Sequence, residues 1–227
     1  MWCRIGAFYV VYPAGRCVFL KEGKKMLYST VILGAMLLIA LGDSLNDGTL
    51  TLISYAKSLL VVFIGVVLVI AIDGVAAFIV RRLPEKWFSP DARLFDVSDK
   101  ERLLYRKLKI NSWKNQVPEL GCFTGFHKDR LEKTDSSTYL GRFLLESNYG
   151  VVGHIAGAIL GFSLLLMPFL HPLIVALPIS AINAVLSILP TMILRFNTPS
   201  LRRLYHRSLK KEEQAKMASA AVSENQN

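Results

Sequence analysis

The chain has 227 residues and a formal net charge of +10, and hydrophobic residues make up 52 % of it. The apolar half is gathered in blocks, which excludes a soluble domain around one large core. It predicts an all-α membrane protein of about four transmembrane helices in two hairpins, with an interfacial or cytoplasmic amphipathic segment between them. Basic flanks in such a chain mark cytoplasmic loops and anionic headgroups, so the charge predicts the lipid bilayer as partner and no nucleic acid.

Residues 1–25 show no helical period and no uninterrupted apolar core of the kind a signal peptide carries. Lys21-Glu-Gly-Lys-Lys-Met26 reads in purine-rich codons as a ribosome-binding site before a start, so residues 1–25 are expected to be an extension ahead of a native Met26. Hairpin 1 is assigned to residues 26–82. Its first apolar run, 27–41, is short against the about 20 residues a span needs. After a polar turn at Asp43 to Gly48 the second run covers about 52–80 and closes on Arg81-Arg82. Lys57 can snorkel to the interface. Asp73 has apolar residues on both sides, and a carboxylate at membrane depth is a functional candidate by default.

Residues 83–150 form the large polar segment, expected to be cytoplasmic or interfacial. Pro84 forces the chain out of helix, and Trp87 and Phe88 suit the headgroup level. Residues 100–108 predict an amphipathic helix, with Leu103, Leu104 and Leu108 on one side and Glu101, Arg102, Arg106 and Lys107 around them. Such a face lies apolar side down in the interface, and Trp113-Lys114 continues its aromatic and basic character. His127 followed by Glu132 superficially resembles the His-x4-Asp signature of glycerolipid acyltransferases, but the acid differs and no second block of that family is present. Ser137 and Ser147 lie in no Gly-x-Ser-x-Gly elbow, and no phosphate-binding Gly loop is present. Cys3, Cys17 and Cys122 form no CxxC or Cys/His cluster, so neither a disulfide framework nor a zinc site is implied, and no cofactor.

Hairpin 2 is assigned to residues 151–196. Its first span, 151–170, repeats glycine at 153, 157 and 161, a small-residue face where another helix can approach closely. His171-Pro172 turns the chain into the fourth span, 173–194, where Pro178 and Pro190 are expected to kink the helix and Asn183 to hydrogen-bond across helices. Residues 197–227 read as a basic cytoplasmic tail, starting as an amphipathic helix at Arg202 and disordered at its end. The short turns at 43–48 and 171–172 carry no Lys or Arg, whereas Lys24-Lys25, Arg81-Arg82, the 83–150 segment and Arg195 do. By the positive-inside rule the protein is multi-pass in the cell membrane with both termini cytoplasmic.

That topology brings Glu146, His154 and Arg195 together at the cytoplasmic membrane surface. On a continuous helix, eight residues turn about 80° past two full circles and rise about 12 Å, so Glu146 and His154 share a broad face without touching. His154 is the intramembrane candidate for a general base. Arg195, Lys114 and Arg142 offer cations to an oxyanion or to the phosphates of a thioester donor, and Glu146 a carboxylate that orients a cation or a sugar. The plainer alternative is structural: His154 bonded to a carbonyl freed near Pro190, Glu146 paired with Arg142 at i−4, and Arg195 an ordinary span-ending cation.

The blocks Leu83-Pro84-x-x-Trp87-Phe88, Trp113-Lys114, Glu146-x7-His154, Asn183 and Arg195-Phe196-Asn197-x-Pro199-x-Leu201 together resemble the glycosyl-4,4'-diaponeurosporenoate acyltransferase family, over roughly residues 80–207. The resemblance implies transfer of a fatty acyl group to a sugar hydroxyl of a glycosylated carotenoid, as in staphyloxanthin-type pigments. It implies His154 and Glu146 as catalytic residues, and Arg195, Asn197, Trp113, Lys114, Arg142 and Asn183 as substrate-binding residues, with no metal. The expected partners are a lipid-like acceptor and an acyl donor such as a thioester, with room for a homo-oligomer. Two positions depart from the family: Val151 stands where the family has a second Glu, and Ser200 where it prefers Arg. A Glu three residues before His154 would contact it directly, so its absence removes the simplest carboxylate–imidazole dyad. A non-enzymatic membrane scaffold is the competing reading. A transporter ranks last, since four spans without an inverted repeat leave little room for a pathway.

Overall fold

The computed structural model describes residues 22–48, 50–114, 117 and 136–224, with side chains from 29 to 219. Its elements in chain order are α1 (Glu22–Asn46), α2 (Leu52–Val80), 3-10 turns at Glu85–Phe88 and Arg93–Phe95, α3 (Asp99–Lys107), α4 (Ile110–Trp113), α5 (Ser137–Leu160) running into a 3-10 segment at Gly161–Leu166, a wide π turn at Pro172–Ala176, and α6 (Leu177–Glu224). Four of these helices are long and apolar enough to cross a membrane, as expected. The expected start at Met26 turns on residues 1–21, which lie outside the described residues together with His127 and Glu132.

Hairpin 1 is closed by side chains that satisfy backbone groups at the turn. Thr51 caps α2 by accepting from the Ser54 N–H, Ser44 donates to Ser54 across the two helices at 3.2 Å, and Gly48 takes the positive φ the turn needs. Below the turn α1 and α2 meet α6 in an apolar cluster built from Ala40, Val62, Val69, Val175 and Ile179. Outward residues such as Leu38, Leu60, Phe63 and Ile70 stay exposed. A lipid-facing belt costs nothing in hydrocarbon, so close packing and polar contacts, rather than burial from water, hold these helices together.

Two boundaries differ from the sequence expectation. The helix that carries the third span does not begin at residue 151: α5 starts at Ser137, so Glu146 and His154 stand on one unbroken helix. Its polar first half can be helical in place because it is roofed by other elements; residues 143–149 are all buried. Ser136 caps it, and Glu212 of α6 accepts from both the N–H and the hydroxyl of Ser137, supplying the acceptor that a helix N-terminus lacks.

The helix of the fourth span does not end near Leu194, and it does not unravel at Lys210. Helix α6 continues through Pro190 and Pro199 to Glu224. Thr191 donates to the Ser187 carbonyl at 3.0 Å and Thr198 to the Leu194 carbonyl at 2.9 Å, so the hydroxyls beside both prolines bond carbonyls next to the ones the prolines leave without a backbone donor. Pro178 is the second residue of α6. It follows the π turn at Pro172–Ala176, where the hydrogen-bond register is already changing.

The segment after α2 folds onto α5 rather than standing away from it. Asn148, almost fully buried, donates to the carbonyls of Phe88 (3.0 Å) and Ser89 (3.2 Å), and the Tyr149 hydroxyl donates to Leu83. Phe88 stacks on Tyr149 with centroids 4.1 Å apart. Beyond it α3 forms where the leucine spacing predicts, capped by Ser98, with Tyr105 buried and Leu103, Leu104 and Leu108 exposed. That leaves the apolar face expected of a helix lying in the interface.

Candidate functional site

A groove of about 380 Å³ runs between α2 and α5. Its α2 wall carries Ile70, Asp73, Gly74, Ala77 and Arg81; its α5 wall carries Tyr149, Gly150, Gly153, His154 and Gly157, with Ser187 of α6 behind. The volume lies in the range of small-molecule sites. Ile70, Gly74 and Ala77 are exposed, so the groove opens sideways onto the lipid-facing surface. Arg81 ends α2, and Asp73 lies eight residues deeper, about 12 Å along the helix.

At the upper end Glu146 is 7 % exposed and gives one oxygen to each of two guanidiniums. Arg81 Nη2 lies 3.0 Å from Oε2, and Arg142 Nη2 lies 2.9 Å from Oε1. Arg142 also reaches Glu85 at 3.8 Å. With both oxygens engaged by cations, this carboxylate aims Arg81, whose guanidinium also lies 6.0 Å from the Tyr149 ring centroid, at the groove. His154 lines the groove below.

At the deep end Asp73 accepts from the Asn183 amide at 3.2 Å. The glycine stripe explains how three helices reach this point. A Cβ at position 157 would lie 2.5 Å from Asp73 Oδ1, and one at 161 would lie 2.8 Å from Asn183 Nδ2. Gly153 alone faces backbone, 3.9 Å from the Ala77 Cα. Two of the three glycines are therefore slots for polar side chains, beyond the close helix approach that their spacing predicts.

Arg195 does not join this site. It makes a two-pronged pair with Glu101 of α3, Nε to Oε1 at 2.5 Å and Nη2 to Oε2 at 2.8 Å, and donates to the Asp96 carbonyl. The guanidinium holds the Glu101 carboxyl below its ordinary range, with the Tyr105 hydroxyl bonded to the same oxygen. Burial, then that bond to Glu101, pushes the Tyr105 phenol up to about 12. Arg202, one helical stretch further, pairs with Asp96 and donates to the Ala92 carbonyl. These contacts staple α3 and its preceding turn to α6.

The remaining expected residues divide in the same way. Trp113 donates its indole N–H to the Leu108 carbonyl, and Lys114 sits 5.4 Å over the Phe196 ring, so both are on the stapled side. Asn197 is half-buried on α6, two residues before Pro199. Arg142 faces a second, shallower cavity of about 560 Å³ bordered by Lys86, Ser89, Thr138 and Tyr205. The Ser147 hydroxyl is buried and borders neither cavity. Sequence reasoning missed Arg81, treating it as a span-ending cation, and left Asp73 without a role. The signal for Arg81 was available: a carboxylate buried at a span boundary needs a cation at the same level, and the boundary of the preceding hairpin supplies one.

Comparison with known families adds one finding. A family model described as glycosyl-4,4'-diaponeurosporenoate acyltransferase matches residues 84–207, more than half of the chain. The match takes in α5 and most of α6 and leaves α2, the other wall of the groove, outside it. No curated protein and no solved structure matches the chain.

Proposed function

The chain belongs to the glycosyl-4,4'-diaponeurosporenoate acyltransferase family, and from that premise we propose that it moves a fatty acyl group from a thioester donor onto a hydroxyl of a glycosylated lipid or carotenoid at the inner leaflet of the cell membrane. The observation that carries the reading is the groove itself: an imidazole and a guanidinium border one cavity that opens to lipid, beneath a buried carboxylate that fixes the guanidinium.

The chemistry follows from those positions. His154 takes the proton of the acceptor hydroxyl as its oxygen attacks the thioester carbonyl. Arg81 faces the oxyanion that develops on that carbonyl, already oriented by Glu146 and so needing no rearrangement as charge appears. Collapse of the tetrahedral intermediate breaks the carbon–sulfur bond, and the departing thiolate recovers the proton from His154. Arg142 and Lys86, beside the second cavity, offer cations to the polar part of the donor. The inner leaflet is supported by the charge pattern, since the basic flanks collect at the end of the bundle where Arg81, Arg142 and α3 lie. The same pattern supports cytoplasmic termini.

The test is comparative lipidomics of the native host with the gene deleted and then restored as wild type or His154→Ala. The expected result is loss of one acylated glycolipid or pigment, accumulation of its deacylated form, and restoration by wild type alone. If no pair of lipids changes reciprocally, the acyltransfer reading fails for this chain and a scaffold role takes its place.

A further inference from the structure

Asp73 is an acidic group at membrane depth, and neither proton transfer at His154 nor oxyanion binding at Arg81 uses it. Three helices nevertheless build a setting for it. Helix α2 supplies the carboxylate, α6 supplies Asn183 at 3.2 Å, and α5 supplies Gly157 and Gly161, whose missing Cβ atoms leave room for the two side chains. A helix-to-helix hydrogen bond alone would be met by two neutral amides at far lower desolvation cost. The acid therefore calls for a ligand that donates.

Building on the acyltransferase reading, we propose that Asp73, held in place by Asn183, forms the acceptor subsite, binding the sugar hydroxyls of a glycosylated lipid that enters the groove sideways from the bilayer. A carboxylate accepts only, so it suits hydroxyls that donate to it, and Asn183 holds it facing them. The groove's exposed edge at Ile70, Gly74 and Ala77 lets the acceptor's apolar chain remain among lipid tails while its head turns inward. Hydroxyls held at Asp73 lie along the groove from His154, and a neighbouring hydroxyl of the same head is the one presented to the imidazole. Discrimination between a sugar-bearing lipid and a plain long-chain alcohol comes from the deep end, because a carboxylate with no donor beyond Asn183 in a low-dielectric groove penalises the wrong ligand.

The test measures binding without turnover. Wild type, Asp73→Asn and Gly157→Ala are placed in phosphatidylglycerol nanodiscs, and the affinities of octadecyl β-D-glucoside and octadecanol are compared. Asp73→Asn keeps the shape and a bond to Asn183 but loses the charge. Gly157→Ala leaves Asp73 in place and turns its carboxylate out of the slot, which a flexible side chain can do without unfolding the helix pair. Wild type should prefer the glucoside by about ten-fold or more, and both variants should lose that preference while their unfolding temperatures hold. In turnover, both should raise the acceptor KM and leave the donor KM alone. If wild type discriminates and both variants discriminate equally, Asp73 is overturned as the acceptor subsite while the acyltransferase reading stands. If wild type shows no preference, the subsite is overturned outright, and the lipidomic result decides the acyltransferase reading separately.

Discussion

Two carboxylate–guanidinium clusters sit where the membrane helices meet the polar segment, and they are chemically alike. Glu146 with Arg81 and Arg142 joins α2 to α5; Glu101 with Arg195 joins α3 to α6. What differs is the surroundings. Around Arg195 the space is filled by Tyr105, the Asp96 carbonyl and Phe196, so the pair acts as a fastener. Around Arg81 the space is a groove shared with His154 and Asp73, so the same kind of pair presents a cation to whatever enters. An ion pair at a membrane boundary is thus no guide to function until the volume next to it is known.

The comparison can be broken at three strengths. The largest effect is expected at His154→Ala, where losing the general base should lower acyl transfer per folded protein by about 10²–10⁴-fold; a rate within a few-fold of wild type in proteoliposomes would move the chemistry elsewhere. Next comes Glu146→Gln, which leaves two guanidiniums facing each other without their carboxylate. Glu146 is buried but both arginines are near half exposed, so the expected loss is about 3 kcal/mol, at the lower end for a buried pair. Chemical denaturation checks it, and an unchanged midpoint would contradict the role given to Glu146 as the hub.

The smallest effect belongs to the fastener. Glu101→Gln should cost about 1–2 kcal/mol, read from the same denaturation curves. Its pH dependence has a definite sign. The folded-state pKa of Glu101 lies below its ordinary 4.5, so its stabilisation is complete above that value and is lost as pH falls through the depressed one. Glu101→Gln should remove this acid-side loss. On the alkaline side, folded Tyr105 keeps its proton to about 12 against 10.0 when unfolded, so its contribution is full below pH 10 and fades between the two values. Tyr105→Phe should flatten that limb.

Much of the fold was legible because membrane spans are written in composition. The four apolar runs, the turns at Gly48 and His171 and the leucines of α3 all lie where periodicity predicts. The boundaries were less legible. Residues 137–150 read as polar segment because their burial depends on Phe88, Leu201 and Tyr205, distant in sequence. The length of α6 was not legible because nothing local announces that Thr191 and Thr198 engage carbonyls beside Pro190 and Pro199. For the site, Glu146 and His154 could be placed on one helix face, but Arg195 was grouped with them on membrane depth alone. Depth says nothing of azimuth, and the partner that claims Arg195 lies 94 residues away. The glycine stripe was visible, whereas its use as slots required knowing that Asp73 and Asn183 come to face it.

The most direct test sets the two clusters against each other in one assay: Arg81→Gln and Arg195→Gln reconstituted in proteoliposomes, with acyl transfer and unfolding temperature measured on the same preparations. Arg81→Gln should lose transfer by about 10²-fold or more per folded molecule, as expected when one oxyanion donor is removed. Arg195→Gln should unfold at a lower temperature and keep its rate per folded molecule. The opposite pattern, a silent Arg195 variant and a transfer-competent Arg81 variant, would contradict the assignment of the chemistry to the groove between α2 and α5.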